Sequence, residues 1–225
     1  YCDDVQILPH GNDPHYLKSI RNVIAEQAVD LVFINTEPEL EAIVEIRDDL
    51  DVVISCPAEN GLRACLSKQV LHERLAGHGL TAATMVVKEK VDLERALASL
   101  GSPLWLRCAE GPRGRGSIIV EDAADGVFWM NYWRRRDASD DVWLAHEYLP
   151  GRNLNWTSVW RSGELVAAAC GERLKYFLAQ VAVSGVTGNV SHCRLVDSSA
   201  VTPIASKAVC LADEIPHGLY AVDLR

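Results

Sequence analysis

Residues 104–120, Leu-Trp-Leu-Arg-Cys-Ala-Glu-Gly-Pro-Arg-Gly-Arg-Gly-Ser-Ile-Ile-Val, constrain the fold more than any other stretch of the chain. Two apolar runs, each readable as a strand, flank a loop holding Gly111, Gly114, Gly116, Arg113 and Arg115. Glycine lets a backbone approach an anion closely and present its N–H groups, and arginine adds fixed charge with directional donors. The loop lacks the Gly-Lys-Ser/Thr ending of a P-loop and runs into Ser-Ile-Ile-Val rather than a helix, which excludes that motif. Two readings stay open: a hairpin turn with a solvated basic tip, or a strand-loop-strand clamp on polyphosphate.

The chain of 225 residues is long enough for one large core or two compact lobes, and its 48% hydrophobic content is that of a globular protein. A formal net charge of −9 argues against a nucleic-acid binder working through a broad basic surface. The basic cluster Arg134-Arg135-Arg136 follows an aromatic run and precedes aspartates, as cations at a solvated helix end do. Seven cysteines carry no Cys-x-x-Cys pair and no zinc-like spacing, so reduced thiols are expected, with Cys108 and Cys170 acting as small apolar strand residues in a cytoplasmic protein. No apolar run approaches the roughly 18 to 20 residues of a membrane span, so no membrane partner is expected. The sequence begins without Met and stops inside a strand-like run, from which we expect both ends to be incomplete.

Apolar spacing predicts a helix over 16–27, a buried strand over 29–35, a helix over 38–50 and a strand over 51–55: a small parallel α/β layer. Ligands of such layers sit beyond the strand C-termini, here near Asn35, Thr36, Glu37 and Ser55, where loop and helix capping explain the same residues equally well. A second unit begins after Pro57, with helices over 67–77 and 92–100, the latter capped by Asp92, and a strand over 83–87. Beyond the glycine loop we expect a helix over 123–135, a strand over 142–148, and two strands over 153–160 and 164–170 joined by a hairpin at Arg161-Ser-Gly163. Residues 184–191 read as a mobile loop over a site, 201–214 as a helix and 218–225 as a strand. Trp156 and Trp160 alternate with polar residues and are expected to pack on a helix.

The order of these parts resembles the ATP-grasp superfamily, and within it the carbamoyl phosphate synthase-like branch: a small α/β domain, a helix with Lys68, a strand with Arg107, the glycine loop, the strand His146-Glu-Tyr-Leu-Pro-Gly151, and a strand ending in Val222-Asp223. The resemblance covers nearly the whole chain. It implies an α/β (α+β) fold with a partial pre-ATP-grasp domain over 1–66, a central lobe over 67–142 and a C-terminal lobe over 143–225, the last two clamping ATP. Members commonly activate a carboxylate as an acylphosphate for attack by an amine, which implies ATP and Mg²⁺ as cofactors and a small-molecule carboxylate and amine as substrates. Lys68 matches the lysine that opens the central lobe, and Arg107 the cation that touches ATP phosphates, while Gly111, Arg113, Gly114, Arg115 and Gly116 form the phosphate loop. The segment His146, Glu147, Tyr148 and Leu149 matches the strand whose backbone meets adenine. Asn153 stands near the ribose position, where glutamate is frequent. Arg173 is placed to hold a substrate carboxylate or the acylphosphate oxygen, and developing negative charge is what such a reaction must stabilise. An ion pair with neighbouring Glu172 is the alternative.

Asp223 matches the first metal-binding acid for Mg²⁺. The family supplies further ligands, usually a Glu and an Asn, from a following strand, and this sequence stops at Arg225. A non-catalytic nucleotide-binding or interaction module therefore remains an alternative, as do a carbamoyl phosphate synthase-like enzyme using bicarbonate and ammonia, and a kinase. Substrate identity and homo-oligomer formation carry no readable signal.

Overall fold

A computed structural model describes residues 2–109, 116–137, 142–177, 179–181, 185 and 189–225. The first layer comprises α1 (Tyr16–Glu26), β1 (Leu31–Phe33), α2 (Glu37–Val44) and β2 (Val53–Ser55). β1 and β2 pair in parallel, Leu31 opposite Val53 and Phe33 opposite Ser55, as the alternation of helix and strand demands. Tyr16, Ile20, Ile43, Ile54 and Cys56 form its core. α2 ends well before residue 50, and a separate 3-10 turn at Arg47–Asp49 follows it.

Helix α3 (Glu59–Leu66) has no counterpart in the sequence reading. Its eight residues include Gly61, which lowers helix propensity by about 1 kcal/mol relative to alanine and hides the pattern. The glycine is required by packing, since a Cβ there would lie 2.1 Å from the Asp213 carboxylate. α4 (Lys68–Leu75) starts anew at Ser67, whose hydroxyl accepts the Val70 N–H.

The middle unit contains β3 (Thr84–Val87), α5 (Lys90–Leu100), β4 (Leu104–Cys108), β5 (Ile118–Val120), α6 (Ala123–Asp137) and β6 (Trp143–Glu147). Its strands form an antiparallel sheet in the order β3-β6-β4-β5. Leu104, Leu106 and Cys108 of β4 and Trp143 and Ala145 of β6 turn toward α5 and α6, joining Val87, Leu93 and Met130 in the core. Period-two alternation sends Trp105, Arg107 and His146 to the opposite face. Asp92 is not the N-cap of α5. Glu89 is, and the two side chains form a reciprocal capping box in which Asp92 accepts the Glu89 N–H. Arg134, Arg135 and Arg136 occupy the last turn of α6, where cations favour the helix dipole.

The third unit holds β7 (Leu154–Arg161), β8 (Glu164–Tyr176), β9 (Val190–Val196), α7 (Thr202–Ala212) and β10 (Gly218–Leu224), with antiparallel strand order β10-β7-β8-β9. The hairpin between β7 and β8 falls at Ser162 and Gly163, both at positive φ, as a tight two-residue turn needs. Trp156 and Trp160 pack with Cys170 and Tyr220 against Ala205 and Val209 of α7. β8 runs six residues further than expected, and β9 replaces part of the expected 184–191 loop from Val190 onward. β9 is an edge strand with four exposed residues in seven, so it lacks the apolar alternation that would announce it.

Glu172 on β8 anchors this unit to the turn that precedes it. Arg152 donates from Nε and Nη2 at 3.0 and 2.9 Å, and Arg194 of β9 donates to the same carboxylate. These hydrogen bonds hold the Glu172 carboxyl at about 2, below its ordinary 4.5. Between those values the unfolded chain takes up a proton that the native state refuses, so the stabilisation is complete above pH 4.5 and is lost as pH falls toward 2. Glu172→Gln is expected to flatten this acid limb, read as the denaturant midpoint against pH, and an unchanged slope would show that the triad contributes nothing.

Candidate functional site

Arg107 lies on the face of β4 turned away from the core, and its guanidinium Nε donates to His146 Nε2 at 3.1 Å. A guanidinium only donates, so Nε2 must accept and the imidazole proton must sit on Nδ1. Nδ1 lies 2.7 Å from Thr84 Oγ1, and that hydroxyl in turn donates to the Ala82 carbonyl at 2.8 Å. Burial pushes His146 from 6.5 down to about 3, with the nearby charge of Arg107 and then His72 adding to it, so the ring stays neutral. Burial likewise lowers Arg107, and the Asp223 carboxylate opposes that shift. Arginine remains protonated throughout.

Asp223 comes from the third unit. The register of β10 on β7 sets it opposite Asn155, whose amide donates to Oδ1 at 2.9 Å, and Thr157 donates to the Asn155 oxygen at 3.1 Å. Arg173 of β8 grips both Asp223 oxygens, Nη2 to Oδ1 at 2.7 Å and Nη1 to Oδ2 at 2.9 Å. The alternative pairing of Arg173 with Glu172 is absent: successive strand residues point to opposite faces, and Glu172 turns to Arg152 and Arg194. The Arg173 N–H donates to the Asn153 carbonyl, and the Asn153 amide meets the Tyr176 hydroxyl, so Asn153 is engaged within its own unit.

Lys68 opens α4 beside the end of β4. Its backbone N–H and its Nζ both reach the Ala109 carbonyl, at 3.2 and 3.4 Å, one residue beyond the end of β4. His72 lies one turn further on the same helix face and is close enough to act on His146. Gly111, Arg113, Gly114 and Arg115 lie outside the described residues. Gly116, at φ +67, closes the segment, and its carbonyl accepts the Trp129 indole N–H of α6 at 2.7 Å. In the hinge-like segment, Glu147 exchanges hydrogen bonds with Ala83 through both its N–H and its carboxylate, each at 2.9 Å. Arg225 donates to the Leu149 carbonyl at 3.0 Å and lies over the Tyr148 ring, 5.6 Å from its centroid.

Arg107, Asp223, Asn155 and Arg173 therefore share one charged locus between the second and third sheets, with His146 and His72 bordering it. Sequence reasoning missed Asn155, Thr157, His72 and Thr84. Lys68 and His72 at i and i+4 were a legible signal, whereas the Asn155–Asp223 pairing exists only once the strands are in register. Among the described residues no group of three or more His, Cys, Asp or Glu side chains converges to hold a metal. Asp223 fits a single carboxylate position of a Mg²⁺ ion borne by phosphate oxygens, provided Arg173 yields one of the two oxygens it holds.

No protein-family model and no curated protein sequence matches this chain. Solved structures do. The L-amino acid ligase of Bacillus licheniformis is similar with a TM-score of 0.68 at 18% identity, over 97% of this chain and 53% of that one. The D-alanine-D-alanine ligase of Coxiella burnetii gives 0.64 at 17% identity, over 86% of this chain and 54% of that one. The biotin carboxylase of Campylobacter jejuni gives 0.68 at 14% identity, over 92% and 48%. The chain spans about half the length of these structures. Strand order and these likenesses agree on one architecture, and the chain has the ATP-grasp fold.

Proposed function

We propose that this chain forms the ATP-clamping part of a ligase that activates a small carboxylate with ATP and passes the acyl group to an amine. The observation that carries this reading is the convergence of Arg107 and Arg173 from two sheets on one locus of an ATP-grasp fold. We divide the chain at 66/67 and 142/143, with the nucleotide between the second and third parts. The seven free cysteines suit a reducing compartment, the cytoplasm, and no helix among the described residues is long and apolar enough to cross a membrane.

In this mechanism a carboxylate oxygen of the substrate attacks the γ-phosphorus, the bond to the β-phosphate oxygen breaks and ADP leaves. The amine then attacks the acyl carbon, phosphate departs with the bonding pair, and the amine proton passes to solvent. Arg107 and Lys68 hold phosphate oxygens with Arg113, Arg115 and the amides of Gly111, Gly114 and Gly116. Arg173 meets the substrate carboxylate. Backbone groups of His146 to Leu149 border the base. Mg²⁺ supplies charge neutralisation of the phosphates when bound, with Asp223 as its protein ligand. Positioning and electrostatics account for most of the rate in transfers of this kind.

Thermal unfolding tests the nucleotide site. ATP with Mg²⁺ at a hundred times its dissociation constant adds about 2.7 kcal/mol, a rise of roughly 5–10 °C for a chain of this size. ADP release with a panel of carboxylates and amines then tests the reaction, with bicarbonate and ammonia as one arm. A midpoint indifferent to ATP would overturn the reading. ATP binding without ADP release from any pair would instead favour a non-catalytic nucleotide-binding module, which the closed Arg173–Asp223 pair also suits.

A further inference from the structure

We propose that His146 and Thr84 are positioning residues, a neutral hydrogen-bonded relay across three strands that fixes the Arg107 guanidinium and turns its two terminal nitrogens toward the nucleotide phosphates. The inference rests on the cleft proposed above and concerns the His146 side chain, not the backbone that borders the base.

Register places the relay. On the shared face of the sheet, Trp105 lies opposite His146 and Arg107 opposite Leu144, so Arg107 and His146 are diagonal neighbours on β4 and β6. Thr84 lies directly opposite His146 on the other side, on β3. The hydrogen bonds run in one consistent direction: Arg107 Nε–H to His146 Nε2, Nδ1–H to Thr84 Oγ1, and the threonine hydroxyl to the Ala82 carbonyl. Among the described residues one of the five guanidinium donors, Nε–H, has a hydrogen-bond partner. Among the described residues the terminal nitrogens Nη1 and Nη2 take no hydrogen-bond partner, and they form the fork that grips two phosphate oxygens.

The identity of the acceptor matters. A carboxylate at position 146 would hold Nε equally well, but it would form an ion pair and cancel the positive charge that phosphate needs. A neutral imidazole accepts the bond and leaves that charge whole. Protonation would convert the acceptor into a donor and break the relay, and the groups facing His146 oppose it: Arg107 from β4, His72 from α4 and an uncharged Thr84 from β3. A flexible arginine loses rotamer entropy when it grips a ligand, and fixing its orientation in advance removes part of that cost from binding.

Calorimetric affinities for Mg·ATP and for adenosine, measured on the full chain, test the relay. Adenosine reports the base site without touching a phosphate. His146→Leu is expected to weaken Mg·ATP about ten- to hundredfold, with adenosine unchanged. His146→Gln, which keeps an acceptor oxygen, is expected to stay within about threefold of the native chain. A merely structural role would weaken both ligands together and gain nothing from glutamine. Equal Mg·ATP affinity in native chain and His146→Leu would overturn the relay alone, whereas absence of Mg·ATP binding by the native chain would overturn the cleft on which it rests. Should the leucine variant fail to fold, the near-isosteric Thr84→Val decides. A loss of about threefold or more confined to Mg·ATP supports the relay, and no loss overturns it.

Discussion

Arg107→Ala is expected to abolish ATP-dependent ADP release at ordinary nucleotide concentrations while leaving the fold intact. Each hydrogen bond to a charged partner contributes about 1.5–3 kcal/mol, so losing a fork of two costs about 3–6 kcal/mol. That corresponds to a fall of roughly 10² to 10⁴ in Mg·ATP affinity or in kcat/KM. The side chain lies on the face of β4 turned away from the hydrophobic core, so the thermal midpoint without nucleotide should move little. Arg107→Lys keeps a charge but not the planar fork, and should recover only part of the loss. Calorimetry and an ADP-release assay read both variants, and unchanged values for alanine would remove Arg107 from the nucleotide site.

Gly116→Val is expected to produce the largest loss of stability. A Cβ at this position would stand 2.7 Å from Cys108 Sγ and 2.9 Å from the Trp143 ring. Both neighbours are fully buried in the core of the middle sheet and have no room to retreat. Overpacking of this kind costs about 1–3 kcal/mol, and φ +67 adds about 1–2 kcal/mol for a residue with a Cβ. Together they predict a midpoint lower by roughly 5–15 °C. Differential scanning calorimetry of the variant and of the milder Gly116→Ala checks the order native, alanine, valine, and a valine variant as stable as the native chain would refute the packing argument.

The sequence was most legible where one face of an element is apolar and the other is not. Leu104, Leu106 and Cys108 alternate with Trp105 and Arg107, and that alternation alone sends Arg107 away from the core. The same holds for Trp156 and Trp160 against α7. Legibility failed where burial is weak or packing overrides propensity. β9 is too exposed to show alternation, and α3 carries a glycine demanded by Asp213, the residue that follows α7 far along the chain. The capping box of α5 shows a smaller limit: Asp92 bonds the helix start, but from the third position of the first turn. Within the candidate site, Lys68, Arg107, Arg173 and Asp223 could be singled out one by one. Their partners could not, because Arg173 with Asp223 and Arg107 with His146 are neighbours only through strand register.

The strand order β3-β6-β4-β5 has one more implication. β6, which carries His146 and leads into Tyr148 and Leu149, is hydrogen-bonded along both edges, while β5, beyond the glycine segment, is a three-residue strand at the sheet margin. Amide exchange with solvent is slow where both edges of a strand are paired and fast where a short strand has one neighbour. The backbone of Trp143–Glu147 is therefore expected to exchange its amides far more slowly than that of Ile118–Val120, a difference set by edge pairing within a single sheet.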